Sequence, residues 1–212
     1  MNPKDSLTIL QHPVVARDLT ILRDEATGIA QFRSAMHRIA TILAYNALMD
    51  LPLRKRTIQT PIQQTDGYDI NTDIIVVPIL RAGLSLVDAI LNFVPDAKVG
   101  HLGMYRDEET HQPVDYYSNL PDEIQDGLVL LVDPMLATGG SADDAIDFLK
   151  KHGAHKIRFI SLISAPEGLK RIQAHHPDVQ LITAAVDEKL NDRAFIVPGL
   201  GDAGDRYFGT GQ

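Results

Sequence analysis

The sequence predicts an α/β fold, a mainly parallel sheet flanked by helices. Three observations carry this. Residues 74–80 (IIVVPIL) and 128–132 (LVLLV) are unbroken apolar runs, as strands covered on both faces require. These runs alternate with amphipathic helical stretches, the pattern of right-handed strand–helix–strand crossovers. The 212 residues are 44% hydrophobic and 23% charged, an ordinary globular composition, and neither linker, repeat nor low-complexity tract divides them. The expectation is one domain over residues 1–212.

The first strong helical pattern is 31–50, where Phe32, Met36, Ile39, Leu43 and Ala47 recur at spacings of three and four. It stops before Pro52. Residues 57–62 alternate weakly and read as an edge strand, because Pro61 lacks a ladder donor. After the run at 74–80, Leu84, Val87, Ala89 and Ile90 mark a helix over 84–93. Residues 98–104 read as a strand, and so do 128–133. A helix over 141–152 ends at Gly153, which suits a left-handed cap. Residues 156–164 form the next strand. Residues 166–175 form a helix with Pro166 in its first turn and Glu167 beside it, as the helix dipole favours. A last strand covers 179–186.

Two segments stand outside this pattern. Residues 105–125 hold seven arginine and carboxylate side chains and two prolines, and read as a projecting flap (about 104–125). Residues 187–212 hold five glycines and one proline and read as loop. Long loops in compact domains are usually functional or disordered.

Composition excludes several classes. There is no cysteine, hence no disulfide framework, thiolate metal site, iron–sulfur cluster or cysteine nucleophile. Twenty basic against 28 acidic residues give a net charge of −8 with no basic block. That argues against broad binding to nucleic acid or anionic membranes, yet permits a small anion held by a few arginines. Residues 1–10 lack the apolar core of a signal peptide. The apolar runs fall far short of the roughly 18 residues of a membrane helix. The expected location is cytoplasmic.

The segment that carries chemistry is LVDPMLATGGSADDAI (131–146). Ligands of open parallel sheets bind beyond the carboxyl ends of the strands. Here an apolar strand ends at Asp133, and Pro134, Met135, Leu136, Ala137, Thr138, Gly139 and Gly140 lead into a helix near Ser141. A Thr-Gly-Gly-Ser turn offers backbone N–H groups and two hydroxyls to a phosphate. The plainer reading is that Ser141 only caps the helix, with Asp144 three residues on. Asp133 favours the first, since a carboxylate beside a phosphate needs a metal or sugar hydroxyls to meet.

This segment resembles the phosphoribosyl diphosphate (PRPP) motif of type I phosphoribosyltransferases, in the form DPMLATGGSA found in the uracil phosphoribosyltransferase branch. The branch keeps one of the two adjacent acidic residues of the general pattern, here Asp133. VVPILRAG (76–83), GMYRDEET (103–110), APEG (165–168), DEKLN (187–191) and IVPGLGDAGDRYFGT (196–210) resemble the same family in the same order. The likeness runs from about His12 to the C-terminus.

The resemblance implies a phosphoribosyltransferase fold with a flap and a base-binding hood over about 187–212. It implies transfer of the 5-phosphoribosyl group from PRPP to uracil, giving UMP and diphosphate, with Mg²⁺ bound through PRPP rather than by direct protein ligation. Arg81 and the flap residue Arg106 would hold the pyrophosphate, and residues 133–141 the ribose 5-phosphate, with Asp133 on the ribose hydroxyls. Asp202 would reach the PRPP side. Ile196, Gly201, Asp202 and Ala203 would read the base, backbone N–H, C=O and N–H answering O4, N3–H and O2. Cytosine would leave a polar group unpaired, at about 1–3 kcal/mol. Asp133, Arg106 and Asp202 form the candidate catalytic set. The remaining implied partners are a further copy of the chain and, as in some relatives, a GTP activator.

Two rival readings use the same scaffold. One is a pyrimidine-responsive RNA-binding regulator, which the charge of −8 disfavours. The other is a phosphoribosyltransferase for another base. A purine site commonly stacks an aromatic ring, and none lies between Ile196 and Asp205. His175-His176 reads as a helix end suiting the dipole, and His152 and His155 share no helical face for a metal. The Phe32/Met36 stripe reads as core or subunit contact, and the Tyr116-Tyr117 pair as interfacial.

Overall fold

The computed structural model describes the backbone of residues 6–106 and 113–210, and the side chains of these outside 104–117. In chain order the elements are β1 (Leu7–Ile9), α1 (Pro13–Arg23), α2 (Ile29–Ala47), the hairpin β2 (Leu53–Gln59) and β3 (Gln64–Ile70), β4 (Ile74–Pro78), α3 (Leu84–Phe93) and β5 (Lys98–Val99). There follow the hairpin β6 (His101–Arg106) and β7 (Pro113–Asn119), then β8 (Leu128–Val132), β9 (Met135–Leu136), α4 (Gly140–Lys151), β10 (Ile157–Ser164), α5 (Pro166–His175) and β11 (Gln180–Val186). The chain closes with the short hairpin β12 (Lys189–Leu190) and β13 (Ile196–Val197) and with α6 (Ala203–Phe208).

The central sheet runs β5-β4-β8-β10-β11-β1, with β9 also on β10, and every pairing in it is parallel. From β4 the chain first moves outward to β5. It then returns to build β8, β10 and β11 on the other side. The carboxyl ends of β4 and β8 therefore flank the point where strand order reverses, which leaves a crevice there.

Both faces of the sheet are covered. Along β4, Ile74 and Val76 pack with α1, α2 and α3, while Ile75 and Val77 pack with α4 and α5. Along β8, Leu128, Leu130 and Val132 take the first face, Val129 and Leu131 the second. This two-sided burial is why the runs show no polar alternation. Phe32 and Met36 are core residues, fully buried. Each such side chain contributes about 1.5–3 kcal/mol by leaving water.

Several boundaries shift by a few residues, and four features depart from the sequence reading. Residues 57–62 are not an edge strand of the main sheet: they lie at the tip of the separate β2–β3 hairpin, whose side chains are mostly exposed. The expected strand over 98–104 is split into β5 and β6, and β6 pairs with β7. The tail is not all loop, since it holds β12, β13 and α6. The sequence reading assigned no element before residue 31, where β1 and α1 lie. Proline at the first turn and the side chain of His12, which accepts from Val14 N–H at 3.1 Å, start α1. No described helix is long and apolar enough to cross a membrane.

Candidate active site

Two turns meet in the crevice. The first, 79–83, follows β4. Ile79 N–H donates to Val132 O at 3.0 Å. A Cβ on Gly83 would stand 2.4 Å from Val132 O, so glycine lets this turn lie against the end of β8. The Leu80–Arg81 peptide is cis. The Arg81 side chain is 68% exposed, with its guanidinium 3.6 Å from Asp205.

The second turn follows β8. β8 and β9 pair with β10 at the same offset, so Asp133-Pro134 interrupts the strand without shifting its register. Pro134 O accepts from Leu162 and Ile163 N–H at 3.0 and 3.2 Å, and Leu136 O from Ala165 N–H at 2.8 Å. Pro134 and Leu136 are thus buried against the sheet, which presents Met135 and Ala137 to the crevice. Gly139, at φ +79, caps α4 without any side-chain hydrogen bond. Ser141 is therefore not the cap. It lies within the first turn of α4, exposed like Thr138, while Gly140 N–H points at Thr138 Oγ at 3.4 Å.

Helix α5 packs beneath this turn. A Cβ on Gly168 would stand 2.5 Å from Ala137 O, and one on Gly139 3.1 Å from Gly168 O. The glycine of APEG is thus a packing requirement of the Thr-Gly-Gly-Ser turn. Polar contacts fix the same helix pair. Asp143, buried in the first turn of α4, accepts from Arg171 Nε at 2.8 Å and lies 2.9 Å from His175 Nδ1 and 3.0 Å from His176 Nε2. Burial alone would push the Asp143 carboxyl up, but Arg171 and His175 hold it below the usual range. The two histidines therefore do more than end a helix: they turn back onto a carboxylate under the turn.

The hood is built from β12, β13 and α6. Asn191 Oδ1 accepts from both Arg193 and Phe195 N–H at 3.0 Å, and Ala194 takes φ +60. Glu167 at the start of α5 accepts from Leu190 N–H at 3.1 Å, which ties the hood to the helix under the Thr-Gly-Gly-Ser turn. Asp202 caps α6 by accepting from Asp205 N–H at 2.9 Å. Arg206 donates to Leu22 O, to Asp24 O at 2.6 Å and to Leu200 O at 2.8 Å, which fastens the hood to the end of α1.

Turns and hood enclose a cavity of about 230 Å³. Asp133, Met135 and Ala137 line one wall and Ala82 another, and Ile196, Gly201, Asp202, Ala203 and Gly204 form the hood side. The structure thus brings Asp133 and all four expected base-reading residues to one space. Burial, opposed by a hydrogen bond from Met135 N–H at 3.3 Å, pushes the Asp133 carboxyl up to about 7, and the charge of Asp202 adds to the rise. Two carboxylates on one cavity suit a ligand that brings hydroxyl donors or a cation. Among the described residues no group of three or more His, Cys, Asp or Glu side chains is arranged to hold a metal ion.

Other expected residues do not line the cavity. Thr138, Gly139, Gly140 and Ser141 lie past Ala137 at the head of α4, Pro134 and Leu136 are turned into the fold, and Arg81 stands outside. Arg106 ends β6 and Tyr116-Tyr117 lies in β7, but the roles expected of these side chains fall outside what the structure describes. Sequence reasoning missed Arg193, Ala194 and Phe195, which line the cavity. The signal was Asn191-Asp192, a turn-forming pair ahead of an apolar strand. Phe195 also removes the argument that no aromatic borders the expected base site, because it sits one residue ahead of that window.

A family model described as uracil phosphoribosyltransferase matches residues 9–210. A uracil phosphoribosyltransferase from Salinibacter ruber is 54% identical over 97% of this chain and 98% of its own. One from Streptococcus suis is 53% identical over 95% and 97%. Among solved structures, the AQ2163 protein from Aquifex aeolicus matches with a TM-score of 0.89 at 40% identity, covering 96% of this chain and 98% of that one. An adenine phosphoribosyltransferase from Trypanosoma brucei, at 11% identity and a TM-score of 0.60 over 90% and 87%, shares the fold.

Proposed function

The chain belongs to the uracil phosphoribosyltransferase family, and from that premise we propose that it joins uracil to the ribose C1 of PRPP, releasing diphosphate and forming UMP. The observation that carries the reading is the single cavity in which Asp133, from the PRPP motif, faces Ile196, Gly201, Asp202 and Ala203 of the hood.

In this reading the head of α4, with the hydroxyls of Thr138 and Ser141, binds the 5-phosphate, since a helix start offers unpaired N–H groups. Asp133 accepts from the ribose hydroxyls. Arg81 leaves its exposed pairing with Asp205, which is worth little, for the pyrophosphate. Arg106 joins it from the flap, whose closure excludes water. The ribose gains positive charge at the transition state while diphosphate leaves, so cations at the pyrophosphate and carboxylates near the ribose stabilise both ends. Mg²⁺ carried by PRPP supplies further charge neutralisation at the leaving group. The Asp133–Asp202 pair is the feature that suits a cation-bearing ligand.

The decisive assay is labelled uracil with PRPP and Mg²⁺, scored for UMP. A folded chain that makes no UMP refutes the reading. Activation by GTP and a cytoplasmic location belong to the same reading, tested by adding GTP to that assay and by cell fractionation. So does self-association, supported by the apolar side chains on and beside the β2–β3 hairpin: Ile62 is 92% exposed, with Leu53, Tyr68 and Met49 each above 60%. Sedimentation of the purified chain tests it.

A further inference from the structure

Gly199 lies between the two stretches of the hood expected to read the base, Ile196 on one side and Gly201 to Ala203 on the other. It takes φ +63, and a Cβ on it would stand 2.1 Å from Ile196 O, so the turn is closed as tightly as glycine permits. Both polar groups of its backbone are held by one ion pair. Gly199 N–H donates to Asp187 Oδ2 at 2.8 Å. Gly199 O accepts from Arg23 Nη1 at 2.8 Å. Arg23 closes the ring by donating to both Asp187 oxygens, Nη1 to Oδ2 at 2.8 Å and Nη2 to Oδ1 at 2.6 Å. The Asp187 side chain is only 4% exposed.

Arg23 has a firm base. It is the last residue of α1, and α1 is tied to α2 by Arg38, which donates to Asp18 at 2.7 and 3.0 Å. A buried ion pair is weak as a source of stability, because desolvation offsets its attraction. What it adds is direction. A guanidinium fork can meet a carboxylate and a carbonyl at once, which an ammonium or an apolar pair cannot.

We propose that the Arg23–Asp187 pair is a positioning device for base recognition: it fixes the Gly199 peptide, and through it the spacing of Ile196 and Gly201 across the base. The pair touches neither the PRPP motif nor the cavity, so its effect falls on the base and spares PRPP. This deepens the proposed function and rests on it.

The test uses the full chain with Arg23→Lys, Arg23→Gln and Asp187→Asn. Each is assayed with uracil varied at saturating PRPP, titrated separately with PRPP, and followed by hydrogen exchange over residues 197–204 and 128–141. The expected result is a KM for uracil raised tenfold or more, with PRPP affinity within twofold and weaker discrimination against cytosine. Exchange is expected to quicken tenfold or more in 197–204 alone. Arg23→Lys, which keeps the charge and loses the fork, is expected to behave like Arg23→Gln. Folded variants with uracil KM within twofold of the parent, or with uracil and PRPP weakened alike, overturn the proposal. So does failure of all three to fold, which makes the pair structural. An inactive parent chain refutes the proposed function instead. The exchange measurement then decides the clamp: unchanged rates over 197–204 overturn it, and faster rates there alone uphold it.

Discussion

Asp133, at the end of a buried strand, and Asp202, the cap of the last helix, place their carboxylates on one cavity, and the charge of Asp202 helps raise the Asp133 carboxyl to about 7. A carboxyl with a higher pKa in the folded chain than in the unfolded one binds protons more readily when folded. Stability from this group is therefore present below about pH 4 and is lost as pH rises towards 7. Asp133→Asn cannot titrate. Its melting temperature relative to the parent is expected to climb between about pH 4 and 7 and then level off, and Asp202→Asn is expected to move the upper end of that window to lower pH. Thermal unfolding across that range checks both, and a constant difference between Asp133→Asn and the parent would contradict the raised pKa.

Catalysis separates from stability at the same residue. Asp133→Asn is expected to fold and to lose most activity, because the neutral amide replaces one of two charged acceptor oxygens with a donor that cannot meet a ribose hydroxyl proton. Near-parental turnover in a folded variant would remove Asp133 from the ribose.

Gly168→Ala tests the packing beneath the Thr-Gly-Gly-Ser turn. The added methyl would stand 2.5 Å from Ala137 O, a backbone atom with nowhere to go. Overpacking of this kind costs about 1–3 kcal/mol. The displacement falls on the head of α4, so the expected kinetic effect is a KM for PRPP raised several-fold, with uracil KM moved less. Steady-state kinetics with each substrate varied in turn decides it, and equal effects would show that α5 supports the whole site rather than this turn.

Arg81→Ala makes the opposite contrast. The side chain is exposed and its partner Asp205 is at 3.6 Å, so unfolding free energy is expected to change by less than about 0.5 kcal/mol. PRPP affinity is expected to fall tenfold or more. Denaturant titration with PRPP calorimetry measures both, and unchanged affinity would leave the arginine without its pyrophosphate role.

Ala203→Leu fills the hood side of the cavity, where Ala203 is 3% exposed. It is expected to abolish uracil binding while PRPP binding at residues 138–141 persists. Ala203→Gly, which keeps every backbone group, is expected to weaken uracil modestly, by about 0.5–1 kcal/mol, and to retain discrimination against cytosine. Competition binding with the two bases reads the result. A glycine variant that accepts cytosine equally would show that side chains, not backbone, make the selection.

The residues themselves determined a good deal. Unbroken apolar runs marked β4 and β8, because a strand buried on both faces has no polar positions to display. The motif at 133–141 was legible for a similar reason: a strand end, a pair of glycines and two hydroxyls all lie within one local turn. The Ile196–Gly204 loop was singled out as the proposed base site through resemblance rather than periodicity.

Tertiary structure decided the rest. Of the β2–β3 hairpin only a weak edge strand over 57–62 was read, because its side chains are mostly exposed. Helix α6, six residues long, is too short to show a period. Helix α1 mattered least to the sequence reading and most to the hood, since its end receives Arg206 and supplies Arg23. That Arg23 would meet Asp187, and that the pair would hold both backbone polar groups of Gly199, follows from how α1 packs on α2 and under the hood. Periodicity sums many residues burying one face, so it survives in sequence. A polar clamp is one contact between distant residues, and only the packed chain brings its partners within hydrogen-bond reach.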